Sequence, residues 1–254
     1  MSLSEKQEKI NDNLSIFQNE GSLAFGTDAY LLSAYIKKQT RSKAAEFGAG
    51  SGVISLLLAA RGKLNNITEF EIQENIAALA AKNVENNSLS EKIRVVCKDI
   101  RELSSEHNCA YDLVFSNPPY MRIDSGKISE NDADAASRHE VFGTIDDFAV
   151  SAAKLLRHGG TFVLVYTPDR LSALISALKN ARLEPKRITF VYPTTEHVPC
   201  TVLIEAKKGA SDGIFVTRPL IIYKDRSSFS DDNYTDEMKY IYEHGDFNEF
   251  YKHP

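Results

Sequence analysis

The chain has 254 residues, 43% of them hydrophobic, and a formal net charge of −5 at pH 7. This length suffices for one α/β domain with short terminal extensions, and the acidic balance argues against a protein that binds nucleic acid over its whole surface. The longest apolar run, Val53–Ala60, is far shorter than the roughly 20 residues of a membrane-spanning helix, and the N-terminus lacks a signal-peptide core, so we expect a soluble, cytoplasmic protein.

Hydrophobic periodicity predicts seven strands that alternate with helices. The strands are expected at residues 44–47, 67–72, 93–96, 112–116, 161–166, 188–192 and 201–206. This order is typical of an α/β fold with a mostly parallel sheet and helices on both faces. The clearest helix spans 145–156, behind a Thr144-x-x-Asp147 capping box. Only about eight residues separate the last two strands, too few for a parallel crossover, so we expect them to pair antiparallel.

A glycine-rich segment follows the first predicted strand. Glu46, Gly48, Gly50 and Gly52 form an ExGxGxG pattern that leads into an apolar helix. Glycines at a strand-to-helix turn let the backbone approach a ligand, although a merely tight turn would use the same residues. The spacing is not the dinucleotide fingerprint GxGxxG, because Val53 stands at the third glycine position. We predict a ligand-binding loop.

Acidic residues near the ends of the next two strands are candidate nucleoside ligands. Glu71 lies where a carboxylate can accept both hydroxyls of a ribose, with Glu69, two residues earlier, as the alternative. Asp99 follows the third strand, where it can accept the exocyclic amine of an adenine while Ile100 packs on the ring. A helix N-cap is the alternative role for Asp99.

The most specific motif is Asn117-Pro118-Pro119-Tyr120, directly after the buried strand at 112–116. Ligands of open α/β sheets bind at the carboxyl ends of the strands. The prolines fix the backbone and lack N–H groups, so the Asn117 side-chain oxygen and the Pro118 carbonyl can both face the hydrogens of an amine. Tyr120 offers a flat face for stacking on a base. We predict Asn117, Pro118 and Tyr120 as catalytic residues, with Pro119 and Tyr120 in contact with the substrate.

In this order the motifs resemble those of the Rossmann-like class I methyltransferases with an NPPY-type motif, which modify planar amines of adenine, cytosine, guanine or glutamine. More narrowly, residues 25–32 (FGTDAYLL), 138–140 (RHE) and 185–187 (PKR) resemble the bacterial tRNA1(Val) adenine-37 N6-methyltransferase family. The resemblance implies a seven-stranded sheet with one antiparallel strand, S-adenosyl-L-methionine as cofactor beside Asn117, and the N6 amine of adenine 37 in the anticodon loop of a tRNA as methyl acceptor. The resemblance also implies that the segment 1–40 flanks the cofactor, with Thr27 and Asp28 near its methionine part. Without the resemblance, Asp28 would be interpreted as an ordinary acidic residue at the start of a helix.

Several basic residues are candidate contacts to RNA. The polar segment between residues 121 and 143 is too long for an idle connection, so we expect it to cover the substrate through Arg122, Arg138 and His139. Lys127 of the same segment is a fourth candidate there. Further bases can extend this footprint, namely Lys186, Arg187, Lys207, Lys208 and Arg218. The six histidines lack metal-ligand spacing and the three cysteines form no CxxC pair, so we expect no metal.

The domain organisation follows from the distribution of charge. From Ser227 onward seven acidic residues and two lysines carry the whole net charge, so we divide the chain into a domain over 1–226 and an acidic extension over 227–254. We expect a monomer or weak homodimer whose cofactor binding survives deletion of the extension.

Three alternative functions remain: a glutamine N5-methyltransferase of release factors, an amino-methyltransferase of ribosomal RNA or DNA, and a binding module without activity.

Overall fold

The computed structural model describes residues 5–11, 14–19, 26–118 and 143–247. The strands are β1 (Glu5–Asn11), β2 (Leu14–Asn19), β3 (Ala44–Phe47), β4 (Ile67–Glu71), β5 (Ile93–Cys97), β6 (Tyr111–Ser116), β7 (Leu156–Tyr166), β8 (Leu183–Tyr192), β9 (Thr201–Lys208), β10 (Phe215–Val216) and β11 (Leu220–Ile221). The α-helices are α1 (Thr27–Tyr35), α2 (Val53–Ala60), α3 (Glu74–Asn86), α4 (Ile145–Leu155), α5 (Leu171–Asn180) and α6 (Asp236–His244).

The central sheet is mostly parallel with one antiparallel strand, as predicted. Its strand order is β10-β8-β9-β7-β6-β3-β4-β5, and β11 also pairs with β8. Strand β9 runs antiparallel to β7 and β8, whereas the other pairs in this sheet are parallel. The seven predicted strands therefore form the sheet, and β10 and β11 bring the total to nine. Strands of two residues are too short to show the alternation by which a sequence reveals them.

Helices cover both faces of the sheet, as the fold class requires. Neighbouring residues of β3 point to opposite sides, because Ala44 belongs to one apolar core and Ala45 to the other. Helices α1, α2 and α6 contribute to the first core, and α4 and α5 to the second. Within the described residues, no helix has the length and apolar character needed to cross a membrane.

An N-terminal hairpin of β1 and β2 packs against α3 and was not predicted. Asn83 of α3, fully buried, joins it to the rest of the domain. Its Oδ1 accepts the Phe17 N–H at 2.7 Å, and its Nδ2 donates to the carbonyls of Phe17 and Ser51 at 3.1 and 2.9 Å. One side chain thus links the hairpin to the glycine-rich loop.

The C-terminal segment packs into the body of the protein. Met238, Ile241 and Phe247 are 0, 2 and 4% exposed and belong to the core that contains α1 and α2. Lys63 Nζ donates to three backbone carbonyls, one of which is that of Gly245 at 3.1 Å. Residues after Ser227 therefore supply a structural part of the domain up to Phe247.

Candidate active site

A cavity of about 290 Å³ lies at the carboxyl ends of the central parallel strands. Five of the predicted site residues line it, although they come from distant parts of the chain: Gly48, Glu71, Asp99, Ile100 and Asn117. The remaining lining residues are Phe70, Ile72, Gln73, Lys98 and Phe148. The carboxyl ends of parallel strands meet at one edge of the sheet, so residues that directly follow β3 to β6 converge there.

The carboxylate of Glu71 is fixed in the cavity wall by two backbone groups. Its Oε2 accepts the Gly50 N–H and its Oε1 the Gln73 N–H, both at 3.0 Å. Each oxygen keeps a further lone pair, which suits the two hydroxyls of a ribose. The alternative acid, Glu69, is fully buried behind Gly52, so the geometry favours Glu71.

Asp99 is an N-cap that also lines the cavity. Its Oδ1 accepts the Arg101 N–H at 2.8 Å, which makes it the N-cap of the 3-10 turn Ile100–Glu102. Its carboxylate also pairs with the Arg101 guanidinium at 2.6 Å, and these hydrogen bonds lower the pKa of Asp99. Because Asp99 lines the cavity as well, capping holds its charge at the position where an adenine amine is expected.

Asn117 and Pro118 follow β6 directly. The strand is anchored next to them, since Ser116 Oγ donates to the Phe47 carbonyl of β3 at 2.8 Å. Asn117 is half-buried in the cavity wall and Pro118 is buried. The other predicted substrate residues lie outside the described residues: Pro119, Tyr120, Arg122, Lys127, Arg138 and His139.

Phe148 is a cavity residue that the sequence did not single out. It lies in the first turns of α4, behind the capping box in which Thr144 N–H donates to Asp147 Oδ2 at 2.8 Å. A Cβ added to Gly48 would lie 4.0 Å from the Phe148 ring, and Gly48 has a left-handed φ of +63°. Phe148 therefore forms an apolar wall opposite the loop. Helical periodicity places Phe148 on the face of α4 that packs into the core. The structure is needed to show that this face also borders the loop and the cavity.

Glu46 lies beneath the glycine-rich loop. It is 1% exposed, and its Oε2 accepts the Ser55 N–H at 3.2 Å and the Ser55 hydroxyl. These bonds join β3 to the first turn of α2, whose N-cap Gly52 has no side chain to supply such an acceptor. This geometry supports an indirect role, in which Glu46 holds the loop in place.

Thr27 and Asp28 line a second cavity of about 450 Å³, together with residues of the β8–β9 connection. Asp28 Oδ1 accepts the Thr201 hydroxyl at 3.0 Å, and burial raises the pKa of Asp28. The structure therefore groups Thr27 and Asp28 with the start of β9, and Glu71 and Asn117 with the first cavity.

Most of the additional basic residues are engaged elsewhere. Arg187 is 5% exposed, lies over the Tyr35 ring at 3.8 Å and pairs with Glu205 at 2.9 Å, so its predicted contact with RNA is wrong. Lys207 and Lys208 end the antiparallel strand β9 and therefore lie at the amino ends of the parallel strands, opposite the cavity. Among the described residues, no cluster of three or more His, Cys, Asp or Glu is arranged to hold a metal ion.

Comparison with known proteins gives consistent matches. Residues 14–181 match the model of the methyltransferase small domain. A tRNA1(Val) (adenine(37)-N6)-methyltransferase of Parabacteroides distasonis is 28% identical over 191 residues, which cover 75% of this chain and 79% of that protein. One with the same name from Serratia proteamaculans is 34% identical over 145 residues, or 57% of this chain and 55% of that protein.

Two solved structures share the fold. A predicted O-methyltransferase from Agrobacterium tumefaciens superposes with a TM-score of 0.70 at 21% identity, over 87% of this chain and 98% of that chain. A putative S-adenosylmethionine-dependent methyltransferase from Listeria monocytogenes gives a TM-score of 0.51 at 14% identity, over 71% and 97% of the two chains.

The sheet with one reversed strand, together with the cavity at its carboxyl edge and the similarity to solved methyltransferase structures, defines a Rossmann-like class I methyltransferase fold. The match over 168 residues places the chain more narrowly: it belongs to the methyltransferase small domain family.

Proposed function

We propose that this protein transfers the methyl group of S-adenosyl-L-methionine to the exocyclic N6 amine of adenine 37 in tRNA1(Val). The observation that carries the proposal is the placement of Asn117 and Pro118 at the end of β6, where Asn117 shares a cavity with Glu71. The names of the curated relatives support adenine 37 as the acceptor. A cytoplasmic location and a monomer or weak homodimer complete the proposal.

The residues of the first cavity fit the adenosine part of the cofactor. Glu71 presents two fixed carboxylate oxygens to the ribose, and Asp99 presents a charged acceptor to the adenine amine. Phe70, Ile100 and Phe148 supply apolar surface for the adenine ring. Gly50 has a φ of +57° and open space where a Cβ would lie, so its backbone can approach the ligand.

The cofactor supplies an electrophilic methyl group on a sulfonium. In the proposed mechanism, the Asn117 side-chain oxygen and the Pro118 carbonyl each accept a hydrogen bond from the N6 amine of the target adenine. These acceptors align the nitrogen lone pair with the methyl group and stabilise the positive charge that develops on nitrogen. The rate gain then comes from positioning and from fixed dipoles. The methylated nitrogen would release one of its hydrogens to water as a proton, so no charged general base is required.

The acceptor base must leave its stack to reach Asn117, which an anticodon-loop nucleotide does at little energetic cost. We assign stacking on the flipped base to Tyr120, with Pro119 beside it, and phosphate contacts to Arg122, Arg138 and His139. The second cavity, with Thr27 and Asp28, lies at the same edge of the sheet, since it includes Thr201 at the start of β9. We assign it to the methionine side of the cofactor.

A methyl-transfer assay tests the function directly. With tritiated S-adenosylmethionine, we expect label in tRNA from cells that lack the modification and, after nucleoside digestion, N6-methyladenosine at position 37 by mass spectrometry. Ribosomal RNA, DNA and release factor serve as parallel substrates. Label only in release factor would establish the glutamine N5-methyltransferase, label only in ribosomal RNA or DNA would establish the corresponding amino-methyltransferase, and cofactor binding without transfer would leave a binding module.

A change at Glu71 that removes its charge and keeps its shape tests the cofactor assignment. In the wild type each Glu71 oxygen accepts a backbone N–H, one from Gly50 and one from Gln73. In Glu71→Gln an NH2 group replaces one of these oxygens and must face a backbone N–H that it cannot accept. Hydrogen bonds to charged groups contribute about 1.5–3 kcal/mol, so we expect the Kd of S-adenosylhomocysteine to rise about 10- to 100-fold by calorimetry. Glu74→Gln, at an exposed position three residues later, is the matched control and should bind within about twofold of the wild type. Equal affinity of Glu71→Gln and wild type would remove Glu71 from the cofactor site.

A further inference from the structure

Two carboxyl groups lie side by side beneath the glycine-rich loop. Glu46 of β3 and Glu69 of β4 are paired in register on adjacent parallel strands, so their side chains leave the same face of the sheet. Their exposed fractions are 1 and 0%. Ser55 of α2, also fully buried, covers them.

The hydrogen bonds of the two carboxyl groups differ sharply. Glu46 accepts both the backbone N–H and the hydroxyl of Ser55. Neither oxygen of Glu69 accepts a hydrogen bond within the described part of the chain, although both are buried. The Glu69 oxygens instead lie against the loop: a Cβ added to Gly52 would be 3.1 and 3.2 Å from them.

A count of protons shows what this arrangement requires. The Ser55 hydroxyl has one hydrogen, which it gives to Glu46, and its oxygen remains free to accept one. Two ionised carboxylates buried side by side without a cation repel each other strongly. A proton on Glu69 removes that repulsion and gives the buried acid a donor aimed at the Ser55 oxygen. Burial and the Glu69 charge raise the pKa of Glu46 strongly as well. The hydrogen bonds decide between the two positions: Glu46 accepts two that stabilise its charged form, whereas the Glu69 oxygens accept none within the described residues, so the geometry places the proton on Glu69.

We propose that Glu69 is a neutral carboxylic acid that donates its proton to the Ser55 oxygen, so that Glu69, Ser55 and Glu46 form a chain with a single negative charge that positions the glycine-rich loop. Glu69 is thus a positioning residue for the cofactor. The inference that the loop receives S-adenosylmethionine rests on the proposed function, whereas the protonation of Glu69 does not.

The ionisable groups around the pair all act in one direction. Burial raises the pKa of both Glu46 and Glu69, the Glu69 carboxylate raises that of Glu46, and Glu71 on the other side of the loop raises both. The Ser55 hydrogen bonds to Glu46, and the nearby Ser55 hydroxyl at Glu69, oppose this effect only in part. The folded protein therefore holds a proton that the unfolded chain has released at neutral pH, and the free energy of unfolding falls as the pH rises from the ordinary glutamate pKa toward the raised one.

The test is a titration of the protein labelled with carbon-13 at the glutamate carboxyl carbons. We expect one carboxyl resonance to keep the chemical shift of a protonated acid at neutral pH, and to be missing from the spectrum of Glu69→Gln. Glutamine at position 69 can preserve the hydrogen bonds that link the three side chains, because its amide N–H can donate to the Ser55 oxygen, but it has no titratable proton. Glu106→Gln, at an exposed site, is the control variant and should retain the resonance.

Calorimetry with S-adenosylhomocysteine then tests the link to the cofactor. Wild-type affinity should weaken with rising pH, by about tenfold per pH unit once the pair has lost its proton, while Glu69→Gln should lose most of this dependence. A wild-type spectrum in which every glutamate is ionised at neutral pH would overturn the proposal, even if the variant does not fold. Equal pH profiles of binding in wild type and Glu69→Gln would overturn the positioning role. Neither readout uses RNA, so failure to methylate tRNA would refute the proposed function alone.

Discussion

Replacement of Asn117 by alanine is expected to reduce methyl transfer by about 10²–10³-fold in kcat, comparable to the loss of one preorganised hydrogen-bonding group from an active site. The side-chain oxygen of Asn117 is one of two proposed acceptors for the hydrogens of the target amine. Without it, the amine keeps the Pro118 carbonyl, but its lone pair is no longer held in line with the methyl group. The measurement is single-turnover methyl transfer to tRNA at saturating cofactor.

The distribution of the loss between kcat and binding separates catalysis from folding. Asn117 follows β6, which β3 separates from the strands that carry the acids assigned to the ribose and adenine, so we expect the Kd of S-adenosylhomocysteine to change less than about threefold. Asn65→Ala, at an exposed position, should have wild-type activity. If Asn117→Ala instead lost cofactor binding and thermal stability in parallel with its rate, the residue would be structural and the proposed mechanism would fail.

The positions of the seven long sheet strands along the chain, and the antiparallel direction of the last one, were predictable because they depend on local sequence. The apolar runs before Gly48 and Asn117 are buried strands, and the short connection between Pro193 and Cys200 forces the last two strands to run antiparallel. The helix at 145–156 was predicted within one residue of the observed Ile145–Leu155 because its capping box marks the start.

The elements that were missed depend on contacts between distant residues. The hairpin of β1 and β2 carries no strong alternation of its own and is held by the side chain of Asn83, more than sixty positions away. Helix α6 lies in the acidic segment that charge alone marked as an extension. Its buried residues Met238 and Ile241 are spaced as on one helix face, and this pattern could have predicted its packing.

The first cavity was predicted better than its surroundings. Gly48, Glu71 and Asn117 directly follow strands or end them, and the geometry of a parallel sheet brings such residues together whatever their separation in the chain. The place of Glu46 beneath the loop and its pairing with Glu69 depend on strand register, which the motifs do not specify. Arg187 is a second residue whose environment the sequence does not specify. Its burial against Tyr35 is decided by tertiary packing, and its charge alone gives no indication of that burial.

The active-site edge of the sheet is supported by groups with no contact to the cavity. Asn83 holds Ser51 in the loop, and Glu46 holds Ser55 in the following helix. Glycine gives the loop the backbone freedom that a close approach to the ligand needs, but it supplies no side chain to restrain it. These buried polar side chains supply that restraint, which is the arrangement that a site acting by positioning requires.

Deletion of residues 227–254 is now expected to unfold the protein, which revises the expectation drawn from charge. The deletion removes several buried core side chains, among them Met238, Ile241 and Phe247, and each such loss costs about 2–5 kcal/mol when it leaves core surface uncovered. It also takes away the Gly245 carbonyl, one of three that accept hydrogen bonds from the buried Lys63 ammonium. The total of at least about 6 kcal/mol approaches the whole stability of a typical domain, about 5–15 kcal/mol.

Thermal unfolding of three forms of the protein tests this prediction. Removal of residues 248–254 alone is the control, because it keeps Met238, Ile241, Gly245 and Phe247, so this form should retain a cooperative transition. Phe247→Ala, which empties the edge-on contact with the Tyr35 ring, should lower Tm by about 10 °C, since about 3–5 kcal/mol is lost and each kcal/mol corresponds to roughly 2–4 °C at this chain length. The full deletion should be insoluble or show no cooperative transition. A deleted protein that melts near the wild-type Tm and binds S-adenosylhomocysteine would mean that the domain ends before residue 227 and that the packing of α6 contributes little free energy.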